Sequence, residues 1–116
     1  MIVPLQIEFH NTQPMEDVET RVRQEFAELE KFYSQLVSCR VEVEVPEHER
    51  RGSVSKVRID LGVPARHAMP KAEPARQEAE HVEVKAQRKD PSMAVHAAFN
   101  IARRRLEEFT GVHRSL

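Results

Sequence analysis

The chain has 116 residues, 40% hydrophobic and 32% charged, with a formal net charge of −1 at neutral pH. A single domain over residues 1–116 is expected, and a chain of this size buries roughly two-thirds of its unfolded surface in one core. No apolar run approaches the ~20 residues a membrane helix needs, MIVPLQIEF lacks the build of a secretory signal, and the lone Cys39 fits a reducing cytoplasm and excludes an intramolecular disulfide.

From Val3 to Phe9 apolar and polar residues alternate strictly, which predicts a strand with one buried face. Pro4 is easiest to place if that strand lies at a sheet edge. After the polar break from His10 to Gln13, a helix is expected from about Met15 to Leu36. Val18, Val22, Phe26, Leu29, Tyr33 and Leu36 form its apolar stripe, and acids crowd its first turn. Lys31 and Gln35 fall opposite the stripe.

Val41, Val43 and Val45 alternate with Arg40, Glu42 and Glu44 in a second strand that stops at Pro46, with Cys39 in phase at its entry. PEHERRGS reads as the loop of a long hairpin, and Val57, Ile59, Leu61 and Val63 form the third strand. Residues 64–80 hold three prolines and mixed charge without a sustained period, so a mobile surface loop is expected there. His81 to Gln87 give a short fourth strand. The chain closes on a helix from Lys89 to Phe109, with Asp90 as N-cap and Pro91 in the first position. Val95, Ala98, Phe99, Ala102, Leu106 and Phe109 share its buried face. Arg103 falls opposite that face beside His96 and Asn100, with Arg104 and Arg105 on its flank.

The order is β-α-β-β-β-α, and every element has one apolar side. The fold class is therefore α+β, in two layers, with both helices on one face of a four-stranded sheet. The other sheet face, with Gln6, Glu8, Glu42, Glu44, Arg58, Asp60 and Lys85, should be wet or meet a partner.

Little here suits bond-making chemistry. The six histidines show no i, i+4 pair and Cys39 has no cysteine partner, so neither a zinc site nor any other metal or cofactor is expected. Three glycines, Gly52, Gly62 and Gly111, cannot make a phosphate-cradling loop, and no nucleophile elbow is present. Cys39 reads as a small buried hydrophobe. No enzymatic activity, small-molecule substrate or membrane partner is expected.

Charge is distributed unevenly instead. Residues 1–39 carry three Lys/Arg against seven acids, whereas residues 85–116 carry seven against three. That polarity suggests one anion-facing surface. The run Arg103–Arg105 has a second explanation, since basic groups near a helix C-terminus are favoured by its dipole with no partner at all. Lys85, Arg88 and Lys89, leading into the same helix, favour the anion reading; Arg50, Arg51, Lys56 and Arg58 form a weaker second cluster. Aromatic content of 5% leaves few rings for base stacking. A nucleic-acid target would be read through phosphate and shape.

LEKFYSQLVSCRVEVEVPE, SKVRIDLGVP and the final helix, with its pattern D-x-x-x-A-[VI]-x-x-A-F-x-x-A-R-R-x-L-E, together resemble the ribosome hibernation factors. These are also called ribosome-associated inhibitors or the sigma-54 modulation family. The resemblance spans nearly the whole chain and is to the short form, since the chain stops soon after the second helix. The chain departs from the family pattern at Ser92, where an aromatic is common, and at Ala65, where a glycine usually opens the turn. The resemblance implies a topology similar to double-stranded-RNA-binding domains and binding to the small ribosomal subunit and its rRNA near the decoding groove. Idle ribosomes would there be silenced and preserved by a cytoplasmic factor that is monomeric off the ribosome. Lys31, Lys85, Arg88, Lys89, Arg103 and Arg104 are the candidate rRNA phosphate contacts. The alternative is a protein-interaction module of the same fold, its acidic first helix meeting a basic protein.

Overall fold

The computed structural model describes residues 3–46, 52–64 and 80–110, with the side chains of 109 and 110 excepted. Six elements follow in the expected order: β1 (Leu5–His10), α1 (Glu16–Phe32), β2 (Ser38–Glu44), β3 (Ser55–Val63), β4 (Glu80–Arg88) and α2 (Pro91–Thr110). The strands form one sheet in the order β1-β2-β3-β4, giving an α+β fold. β1 runs parallel to β2, while β2–β3 and β3–β4 are antiparallel. Parallel neighbours need a crossover, and α1 supplies it.

Alternation decides which way each strand faces. Val41, Val43, Val57, Ile59, Leu61, Val82 and Val84 turn one way and meet Val18, Val22, Phe26 and Leu29 of α1 and Val95, Phe99, Ala102 and Leu106 of α2 in one core. Most of these side chains are fully buried, and each of the larger ones is worth about 1.5–3 kcal/mol relative to exposure. β1 is an edge strand, as Pro4 suggested, and Leu5, Ile7 and Phe9 are only partly buried. Asn11 turns the chain out of β1 at φ 64, a left-handed conformation its short amide side chain tolerates.

The first helix is shorter than its apolar stripe. It ends at Phe32, and Tyr33 takes an extended conformation while its N–H still donates to Leu29 O at 2.8 Å. Sheet pairing explains the stop, because Val37 N already donates to Gly62 O at 2.8 Å and β2 begins at Ser38. Tyr33 and Leu36 remain buried after leaving the helix. Gly62 faces Ser38 so closely that a side chain would collide with the serine hydroxyl. Gln35, expected on the helix, lies beyond its end. The loop expected over 64–80 lies outside the described residues except for Pro64 and for Glu80, which opens β4. Arg50 and Arg51 also lie outside them.

Both helices return from the same end of the sheet, the end holding His10, Glu44, Lys56 and Arg88. Lys31, Phe32 and Arg103 lie towards the other.

Candidate nucleic-acid interface

Every cation on α1 is paired within its own helix. Arg21 Nε lies 3.0 Å from Glu25, Arg23 Nη2 3.0 Å from Glu19, and Lys31 Nζ 3.9 Å from Glu28. On α2 and the turn before it the outcome is opposite. Lys89, Arg104 and Arg105 are exposed and form no ion pair with any described residue. Among the described residues, Arg88 donates only to its neighbour's carbonyl, Gln87 O, at 2.7 Å.

The six sequence-derived candidates do not form one patch. Lys85 and Arg88 sit three residues apart in one strand, so their side chains leave opposite faces of the sheet. Val82 and Val84 mark the core side, Lys85 projects to the outer face, and Arg88 ends the strand on the helix side. Lys89 lies beside Arg88, whereas Arg104 is roughly 20 Å further along α2 at 1.5 Å per residue. Lys31, at the end of α1, belongs with the Arg103 end of the molecule and is already engaged by Glu28. The candidates therefore occupy two ends of the helical layer, and Lys85 occupies the far side of the sheet.

Arg103 differs from its wheel position. Its guanidinium lies over the Phe32 ring, 5.5 Å from the centroid, so it leans on α1 while remaining exposed. His96 turns the same way: its Nδ1 is 2.7 Å from Glu25 Oε2, and Asn100 Nδ2 is 3.3 Å from its Nε2. With Arg21 on the same carboxylate, an Arg21–Glu25–His96–Asn100 chain ties α1 to α2. Helix periodicity placed these residues away from the core, and it is the packing of the two helices that fills that flank.

The outer sheet face carries a charge lattice that cross-strand register sets out in rows. Glu8, Glu42, Arg58 and Lys85 form one row, and His10, Glu44, Lys56 and Gln87 the next. Arg40 bridges Glu8 at 3.1 Å and Glu42 at 3.4 Å, and Arg58 reaches Glu42 at 3.9 Å and also pairs with Glu83. His81 Nδ1 lies 3.0 Å from Asp60. Glu8, His10 and Glu42 bring one ligand-type atom each within 4.8 Å of one another. That grouping was not foreseen; its signal is the Glu-x-His spacing of one strand face opposite a glutamate. Arg40 on both carboxylates and Arg58 on Glu42 together balance the cluster, which argues against a cation there.

Cys39 is buried, and desolvation, aided by the nearby charges of Asp60 and Glu30, pushes its thiol up to about 12 from 9.0. It is a core residue, as its phase in the strand implied. No described helix is long and apolar enough to cross a membrane.

The model of one protein family, described as Sigma 54 modulation protein / S30EA ribosomal protein, matches residues 5–113. No curated protein matches the chain. Among solved structures, the Protein Y N-terminal domain of Thermus thermophilus is similar at TM-score 0.65 and 14% identity, covering 93% of this chain and 99% of that one. A ribosomal subunit interface protein from Coxiella burnetii is similar at TM-score 0.63 and 8% identity, covering 95% of this chain and 100% of that one. At such identities the likeness shows a shared fold.

Proposed function

The chain belongs to the Sigma 54 modulation protein / S30EA ribosomal protein family, and from that premise we propose that it is a ribosome-associated factor that binds the small subunit near its decoding groove. Bound there, it inhibits translation and preserves idle ribosomes. It acts by occupancy and not by chemistry. The observation that carries the reading is the set of cations on and before α2 that have no carboxylate partner among the described residues, in a chain whose other helix pairs each of its own. Cations left without carboxylates are free to exchange their counterions for phosphate, the main source of affinity for RNA.

Arg88, Lys89 and Arg104 are the principal phosphate contacts of the helical layer. Arg103 adds charge from a position held by Phe32, and Lys31 contributes once it releases Glu28. The test is cosedimentation with small subunits at physiological salt. Lys89→Glu combined with Arg104→Glu touches no core residue and should leave a folded chain that no longer cosediments. A variant that still cosediments would remove α2 as the contact surface. The dipole explanation of the arginine run predicts that reverse pattern: lower helix stability with binding unaltered.

A further inference from the structure

Lys85 is separated from the α2 cations by the full thickness of the sheet, yet it is not isolated. On the outer face it stands directly opposite Arg58, and Lys56 occupies the next outward position of β3. Like charges placed opposite each other across strands are destabilising. Three cations thus occupy adjacent outward positions of one ladder, and those without a carboxylate partner are left for an outside anion to neutralise. Arg58 is fixed by Glu42 and Glu83. Lys56 and Lys85 are exposed and form no ion pair with any described residue, although Lys56 is the register partner of Glu44.

These cations form one wall of a depression of about 550 Å³ on the sheet face. The opposite wall is His10, Glu42 and Glu44, and Gln87 lies beside Lys85. Its volume is that of a small-ligand site, for which ~300–1,000 Å³ is usual. The two walls ask for different chemistry. The lysines ask for an anion, and the carboxylates accept hydrogen bonds from hydroxyl or amino donors. An acidic peptide brings N–H donors along its backbone, but its charges sit apart from them at the ends of flexible side chains. A ribonucleotide unit of an RNA strand carries both, a phosphate and next to it a 2′-hydroxyl that donates as well as accepts.

We infer that the outer face of the sheet, between Lys56 and Lys85 on one side and Glu44 on the other, is a second RNA-binding surface. It seats a phosphate on the lysines and presents Glu44 to the adjoining ribose. The inference rests on the ribosome-binding reading above and extends it, because it places RNA on both sides of the two-layer fold.

A photo-crosslinking residue in place of Gln87 reports directly on this depression, and one in place of Arg105 reports on α2. After illumination with small ribosomal subunits, the position-87 adduct should be RNA, lost on ribonuclease treatment. Lys56→Gln with Lys85→Gln should also lower the salt slope of subunit binding by about 0.7–0.9 for each phosphate no longer neutralised. Crosslinks from position 105 with none from position 87 would overturn the second surface and leave the α2 interface standing. A position-87 adduct with a ribosomal protein would assign the face to protein contact and overturn the RNA inference. If the unmodified chain does not cosediment at all, the ribosome reading fails and the second surface fails with it.

Discussion

Helices α1 and α2 lie side by side on one sheet, bury similar apolar stripes and run in the same direction, yet they treat charge in opposite ways. α1 places each cation three or four residues from a carboxylate, so it offers no unpaired cation to the outside. In α2, Glu107 and Glu108 stand four residues after Arg103 and Arg104, and neither pair closes. Arg103 turns instead to Phe32, while Arg104 and Arg105 stay open. The same packing role is compatible with either arrangement, so the difference belongs to what each helix offers outside the molecule.

The largest effects should show that the helices are alike inwardly. Leu29→Ala on α1 and Leu106→Ala on α2 each remove a fully enclosed side chain, and each should cost about 2–5 kcal/mol in chemical denaturation. A Leu106→Ala protein with an unchanged midpoint would mean that α2 is not anchored as described.

α1 also reaches the core electrostatically, since Glu30 adds to the burial that raises the Cys39 thiol. Below about pH 9 the thiol is neutral folded or unfolded. As pH rises from 9 towards 12 the unfolded chain ionises first, so this residue's contribution to stability is progressively lost. Cys39→Ala should flatten that part of the stability profile relative to the parent chain, and an identical decline in both would refute the shift.

Outwardly the helices should part. If about four phosphates are neutralised, the logarithm of the ribosome-binding constant should fall against that of salt with a slope near −3 to −4. Neutralising Arg104 and Arg105 should make it shallower, whereas neutralising Arg21 and Arg23 should not. Equal changes from both helices would erase the contrast. The smallest effects concern stability. Arg103→Ala should cost about 0.5–1 kcal/mol through its ring contact. Arg23→Ala, losing an exposed helical pair, should cost about 0.3–0.5 kcal/mol. Thermal melts of the two variants under one set of conditions would rank them.

Much of this was legible in the sequence. Alternation in β1, β2, β3 and β4 fixed which face each strand buries, and Pro4 indicated the edge. The end of α1 was not legible, because Tyr33 and Leu36 keep the helical phase of burial while sheet pairing at Val37 pulls the backbone out of the helix. The splitting of the basic cluster could have been read, since an odd spacing between Lys85 and Arg88 within one strand sends them to opposite faces. The Glu25–His96 link could not, because its partners are 71 residues apart and meet only when the helices pack. The Lys56–Arg58–Lys85 group needed the register of β3 on β4, which no local pattern supplies.

The edge position of β1 has a consequence for how the molecule opens. β2, β3 and β4 are joined in sequence as an antiparallel ladder, and most of their inward-facing residues are buried. β1, like β4, hydrogen-bonds to a single neighbour, but it buries its apolar residues only in part and meets that neighbour across the length of α1. Segments with few enclosed neighbours are the first to detach in sub-global fluctuations. Amide exchange should therefore be fastest in β1 among the strands and slowest in β3. The chain thus carries a detachable first strand on a more persistent three-stranded body, and its departure would uncover the hydrogen-bonding edge of β2.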